Sequence, residues 1–164
     1  MPTLAHGILT NNGFEEGTIN WTPGIGTFFH SIFEQSHLGL YCGRIQIPYS
    51  NYKSSTPSRM QISQIVQVNK HLKGFIFRGW SIIEQLFGSS ENVTYQIEIV
   101  IHFIDRTKFE TISKFSPYIH GWQLMSFTIN ISPKILVESV EVFCVLGAFR
   151  GAVYFDDLNL IEIN

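Results

Sequence analysis

From Tyr95 to Phe103 the chain alternates without a break. Tyr95, Ile97, Ile99, Ile101 and Phe103 fall on one side, and Gln96, Glu98, Val100 and His102 on the other. A two-residue repeat puts the first set on one face of a pleated strand, whereas a helix would scatter it around the axis. The pattern predicts a strand over 95–104 with one buried and one partly wet face. Residues 75–84 obey the same rule, with Phe75, Phe77 and Ile83 on one face and Ile76, Arg78, Trp80 and Glu84 on the other. In 61–69, Ile62, Ile65/Val66 and Val68 alternate with Gln61, Ser63, Gln64 and Gln67, which predicts an irregularity near the middle. Further strands are predicted over 40–47, 123–131, 137–146 and 152–163, where apolar runs lie between turn residues. Loops are predicted at 48–58, 87–92, 132–133 and 147–151, and a short helical turn near 31–37. About eight strands and no long helix predict an all-β fold: one domain over 1–164, an antiparallel β-sandwich or jelly roll.

Composition agrees. The chain is 45% hydrophobic and 15% charged, so a packed core is expected. Its 14 phenylalanines favour strands over helices. The net charge is −2 with no basic run, which argues against nucleic acid as a partner. No apolar stretch approaches the roughly 20 residues of a spanning helix, so no membrane insertion is expected. The segment Met1-Pro2-Thr3-Leu4-Ala5-His6 lacks the basic start and apolar stretch of a secretory signal. Cys42 and Cys144 permit one disulfide without requiring it; each sits in an apolar run, where a buried free thiol is the simpler reading.

Two motifs stand at opposite ends of the chain. Asn11-Asn12-Gly13-Phe14-Glu15-Glu16-Gly17, followed by Trp21, opens it, and Tyr154-Phe155-Asp156-Asp157-Leu158-Asn159-Leu160 closes it. Between them come His37-Leu38-Gly39-Leu40-Tyr41 and Gln64-Ile65-Val66-Gln67-Val68. In this order they resemble the carbohydrate-binding modules of families 4, 9 and 22, over essentially the whole chain. The resemblance implies a non-catalytic jelly roll of the galactose-binding-like kind that binds an oligo- or polysaccharide outside the cell. It also implies one structural Ca²⁺ tying the first strand to the last. The matching positions are Glu15, Asp156 and Asp157, with backbone oxygens around 37–39. Calcium takes six to eight hard oxygen ligands, and a cation would relieve the repulsion among these carboxylates. The alternative is that backbone N–H groups cap them. The chain is similar as well to N-terminal domains of Firmicute spore-surface proteins. That likeness implies a spore or cell-surface domain that assembles with copies of itself, for which an exposed cluster of Val100, Phe143 and Val145 would be the mark.

A sugar site combines an aromatic platform under the apolar face of a pyranose with polar groups that read its hydroxyls. Arg78 and Trp80 share one strand face, and Gln96, Glu98 and His102 share the outward face of the next clear strand. Trp122 follows Gly121 in a loop, and Arg150 also stands at a loop end. These six, Arg78, Trp80, Gln96, Glu98, His102 and Trp122, are the candidate sugar contacts, with a core role open to Trp80 as to Trp21. No catalytic residue is assigned. Glu84 and Glu98 are the conceivable carboxylate pair for glycoside hydrolysis, which needs a separation of about 5 to 9.5 Å. The six histidines show no metal-binding spacing, and no Gly-x-Ser-x-Gly elbow occurs. The sequons at Asn92 and Asn130 are read as chance.

Overall fold

The inward residues of each strand identify its sheet and its partner. A computed structural model describes residues 7–33, 35–47, 58–87, 93–148 and 150–164, which form ten strands and no helix. In chain order these are β1 (Thr22–Pro23), β2 (Phe28–Phe33), β3 (Tyr41–Ile47), β4 (Ser58–Gln67) and β5 (Gly74–Phe87). They continue with β6 (Thr94–Phe103), β7 (Lys108–Lys114), β8 (Gln123–Asn130), β9 (Val137–Ala148) and β10 (Arg150–Ile163). The first sheet has the order β1-β4-β9-β6-β7 and the second β2-β3-β10-β5-β8, with every pair antiparallel. The all-β sandwich is as the alternation implies.

Tyr95, Ile97, Ile99 and Ile101 of β6 and Cys144 and Leu146 of β9 face Phe75 and Phe77 of β5 and Val153 and Phe155 of β10. One cluster of buried side chains runs from Leu9 to Leu160. A polar chain crosses it: the Tyr95 hydroxyl donates to Ser81 Oγ at 2.6 Å, and Ser81 donates to the Tyr154 carbonyl at 2.5 Å. Burial holds the Tyr95 phenol well above its ordinary pKa, so it remains a neutral donor.

Several expectations change. β4 has no irregularity, because its register against β9 is continuous from Ser58 to Gln67. Gln64, not Ile65, takes the inward position, and Ile65 is 59% exposed. The buried amide of Gln64 is satisfied by the chain itself: Thr10 N donates to Gln64 Oε1 at 2.8 Å and Gln64 Nε2 donates to Thr10 O at 2.9 Å. The side chain thus acts as one more backbone rung for the N-terminal segment. Ser31 lies within β2, so no helical turn forms there. Strand structure reaches Ala148 and resumes at Arg150, which shortens the loop expected at 147–151. The expected loops at 48–58 and 87–92 fall outside the described residues except at their edges. Cys42 is on β3 of the second sheet and Cys144 on β9 of the first, both free and fully buried. Burial, with the charges of Asp156 and Glu15, pushes the Cys42 thiol up to about 12, and burial alone raises Cys144.

Candidate functional site

The N-terminal motif is a loop that Asn11 organises. Its amide donates to the carbonyls of Gly17 and Ile19, and its Oδ1 accepts the Glu16 N–H at 3.0 Å. Asn11 and Phe14 hold left-handed backbone (φ 46° and 58°), and Phe14 drops fully buried between Trp21 and Phe29, over the bare Cα of Gly43. Glu15 then points the other way, and its Oε1 accepts the amides of Leu40 and Tyr41 at 2.8 and 3.0 Å. Gly39 (φ 75°) leaves room for that carboxylate, which a Cβ there would overlap.

The closing motif is a β-bulge. Asp156 pairs with Trp80 and Asn159 with Arg78, so β10 carries one residue more than β5, and Asp157 takes a left-handed conformation (φ 50°). Asp156 is fully buried, and its Oδ2 accepts the amides of His37 and Leu38 at 2.7 and 3.1 Å. Asp157 Oδ2 meets His37 Nδ1 at 2.9 Å. Leu158 N donates to Asn12 O, which clamps the two motifs together. Asp156 and Asp157 therefore approach Gly13, where a Cβ would lie 3.6 Å from Asp156 Oδ1 and 4.0 Å from Asp157 Oδ1, while the Glu15 carboxylate is turned to Gly39. A cleft of about 360 Å³ opens there, lined by residues that include Asn11, Gly13, Glu15, Gly39 and Asp157. The donors are hard oxygens of the kind calcium takes. Most of those oxygens already accept N–H groups, and the described residues hold no cluster of three or more His, Cys, Asp or Glu side chains arranged to hold a metal.

Burial is the strongest influence on Asp156 and raises it; the Leu38 amide opposes, the Asp157 charge adds, and the result is a pKa of about 6. The unfolded carboxyl titrates near 3.9, so between about pH 4 and 6 the folded state holds a proton that the unfolded state has lost. Stability from this group is therefore present below about pH 4 and falls as pH rises through 6. The stability difference between wild type and Asp156→Asn, measured by urea unfolding from pH 4 to 7, is expected to follow that curve. A difference that stays flat with pH contradicts it.

The outer face of the second sheet carries a set of polar and aromatic groups. At one end of it, Arg44 of β3, Tyr154 of β10 and Glu84 of β5 interlock. Arg44 Nε and Nη2 donate to Glu84 Oε2 at 2.9 and 2.7 Å, and the Tyr154 hydroxyl donates to the same oxygen at 2.6 Å. Arg44 Nη1 also donates to Gln46 Oε1 at 2.6 Å. Burial alone would raise Glu84, but the donors Tyr154 and Arg44 outweigh it and hold the carboxyl below its usual range. The result is a fixed array of planar polar groups. It borders a cleft of about 170 Å³ whose walls include Gln46, Glu84, Gln85 and Arg150. Further along the face stand Trp80 and exposed Arg78, with half-buried Trp122 just before β8. His37 stacks on Trp80, with ring centres 3.9 Å apart and planes 17° apart, and meets Trp122 edge-on at 5.5 Å.

The six candidate sugar contacts divide between two surfaces. Arg78, Trp80 and Trp122 belong to this face, although His37 already covers one side of the Trp80 indole. Gln96, Glu98 and His102 lie on the outer face of the first sheet, because β6 follows β5 in the chain but joins the other sheet. All six cannot line one site, and Glu84 and Glu98 cannot form a hydrolytic pair. Gln96 and Glu98 are also buried, Glu98 held by Arg59 through two bonds of 2.9 and 2.8 Å and by Gln96 at 2.6 Å. On that surface Val145 is fully buried and Val100 nearly so, so they do not form an exposed apolar cluster with Phe143. Sequence reasoning passed over Arg44, Gln46 and Tyr154. The available signal was Arg44 and Gln46 two apart within β3, on the face opposite Ile45 and Ile47.

This two-sheet antiparallel sandwich has counterparts among solved structures. No protein-family model matches the chain, and no curated protein matches it. Its fold is that of carbohydrate-binding modules. A family 16 carbohydrate-binding module superposes with a TM-score of 0.67 at 14% identity, over 94% of this chain and 99% of the other. A family 61 module in complex with β-1,4-galactotriose gives 0.63 at 14% identity, over 96% and 99%. The C-terminal family 22 module of Clostridium thermocellum Xyn10B gives 0.64 at 10% identity, over 98% of each chain. At these identities the likeness is one of fold.

Proposed function

We propose that this protein is a non-catalytic carbohydrate-binding module that holds an oligo- or polysaccharide on the outer face of its second sheet, outside the cell. The carrying observation is the Arg44–Glu84–Tyr154–Gln46 array beside its cleft, on the same face as Arg78, Trp80 and Trp122. Such an array presents donors and acceptors in fixed directions, which suits a sugar's ring hydroxyls, and it breaks no bond. The Arg44 charge is matched by Glu84, so the array itself favours neutral hydroxyls. Support from the fold is its likeness to a family 61 module in complex with β-1,4-galactotriose, and to part of a C. thermocellum Xyn10B chain of CBM22-1 and GH10 modules complexed with xylohexaose, of which this chain covers 29%.

One Ca²⁺ at Glu15, Asp156 and Asp157 belongs to the same proposal. What supports it is that Asp156 and Asp157 bring oxygens to the open side of Gly13, with Asp156 buried and Glu15 and Asp157 lining the adjoining cleft. A cation there would keep Asp156 ionised and stabilise the junction between the two chain ends. Thermal unfolding tests this. Millimolar Ca²⁺ is expected to raise the melting temperature relative to EDTA and to remove the loss of stability between pH 4 and 6. A ligand at 100 times its Kd adds about 2.7 kcal/mol. Identical curves in Ca²⁺ and EDTA would dismiss the ion and leave the N–H caps as the whole account of these carboxylates.

A further inference from the structure

Among the described residues four strands lie at a sheet edge, and the two sheets treat their edges differently. An edge strand shows unpaired N–H and C=O groups that another strand can take up, and charged side chains or proline there keep copies apart. In the first sheet the edges are β1, two residues long and ending in Pro23, and β7, which carries exposed Lys108, Glu110 and Lys114. In the second sheet they are β2 and β8, and neither holds Asp, Glu, Lys, Arg or Pro. The two longest runs of the chain without a charged residue, 115–133 and 17–33, contain these two strands.

β2 is the more apolar of the two. Phe28 and Phe33 are each 50% exposed, and Ile25, in the turn just before the strand, is wholly exposed. On β8 the exposed residues are Leu124, Ser126, Thr128 and Asn130, and only the first is apolar. Among the described residues no backbone bond reaches β2 except from β3. The outer face of β2 carries Phe28, His30 and Ile32, opposite Gln46, Arg44 and Cys42 of β3. What fits such an edge is an extended strand that is itself apolar and uncharged.

β2 of a second copy meets that description. We propose that β2 pairs antiparallel with β2 of a second copy across a two-fold axis perpendicular to the sheet, so that the two second sheets become one. With the axis at His30, Phe28 of each copy lies opposite Ile32 of the other, an aromatic–β-branched pair of the kind that stabilises a sheet. Such an isologous contact closes at two copies. Pairing β2 with β8 of a neighbour is the poorer solution. Three strands separate them in an antiparallel sheet, so both point the same way, and copies stacked by translation would pair them in parallel. The two-fold leaves both outer faces on one side, where the dimer offers two Arg44 arrays to a single surface. That consequence rests on the sugar reading; the dimer itself does not.

Sedimentation equilibrium over a range of protein concentrations is the test. Wild type is expected to pass from monomer to a species of twice the mass and to go no further. Phe28→Lys with His30→Lys gives β2 the kind of charge that β7 carries and sets lysines against each other at the axis. It is expected to weaken dimerisation at least about 100-fold, because like charges placed opposite each other are strongly disfavoured. Ser126→Lys, the same change on β8, is expected to leave the dimer intact. All three positions are exposed, so folding is checked by melting temperatures at a concentration where every form is monomeric. Amide exchange in wild type needs no variant: protection of 28–33 is expected to rise with concentration, and that of 123–130 to stay constant. A wild type that remains monomeric throughout, leaving β2 to a strand of another protein, overturns the proposal. So does a dimer that the β2 variant keeps or that Ser126→Lys dissociates, protection that rises in 123–130 instead, or an open-ended polymer, which would assign the edges to pairing of β2 with β8.

Discussion

Phe14→Ala is expected to lower stability by about 3–5 kcal/mol, the range for deleting a fully buried aromatic ring. Phe14 has no solvent exposure, and its ring lies 5.2 Å from that of Trp21 and 5.7 Å from that of Phe29. The cavity cannot collapse easily, because Gly43 beneath it has no side chain to move in. A second cost arises from the backbone. Phe14 occupies the left-handed region (φ 58°), a conformation tolerated only while the ring is anchored. Without the anchor the loop is free to relax, and Glu15 loses its aim at the Leu40 and Tyr41 amides. Urea unfolding checks this. A loss under about 1 kcal/mol would show that the loop is not held by its aromatic plug.

The strand faces were legible wherever alternation was strict. In β5, Phe75 and Phe77 turn inward while Arg78, Trp80 and Glu84 turn outward, as their spacing implies. β7 was overlooked because it is a short, mostly exposed edge strand whose two apolar residues, Phe109 and Ile112, fall on opposite faces and give no alternation. Partner choice was the larger gap. Gln96 and Glu98 do point away from the core, but which sheet β6 joins depends on its pairing with β9, a strand that begins only after β7 and β8. That long-range choice moved three of the six sugar candidates to the opposite surface. The Arg44–Glu84–Tyr154 array is hidden for the same reason: its members come from β3, β5 and β10, neighbours only once the sheet is assembled. Glu15, Asp156 and Asp157 were brought to attention by motif resemblance. Their backbone partners, and the bulge that separates the two aspartates, were not visible before the chain was folded.

Arg44→Ala is expected to weaken glycan binding by about 10- to 100-fold, since hydrogen bonds involving a charged group are worth about 1.5–3 kcal/mol. The guanidinium has two roles. It presents donors to the cleft, and it fixes Glu84 and Gln46 in place. Glu84→Gln keeps the shape but removes the charge that aligns Arg44 and Tyr154, so it is expected to fall nearly as far. Arg44→Lys is not expected to rescue, because an ammonium cannot hold two neighbours in a plane. Glu84 is 45% exposed, so Glu84→Gln is expected to leave folding intact; Arg44 is 17% exposed, so the melting temperature of Arg44→Ala is measured beside its affinity to separate lost binding from lost fold.

The most direct test of the central claim compares the two faces of the sandwich. Isothermal titration with soluble glycans, among them xylohexaose and β-1,4-galactotriose, would be run on wild type, Arg44→Ala, Glu84→Gln, Arg59→Ala and Glu98→Gln. The account predicts that at least one glycan binds wild type, that the Arg44 and Glu84 variants lose at least tenfold in affinity, and that the Arg59 and Glu98 variants keep it. Loss of binding in the Arg59 and Glu98 variants alone, or no glycan binding by the wild-type protein, would contradict it.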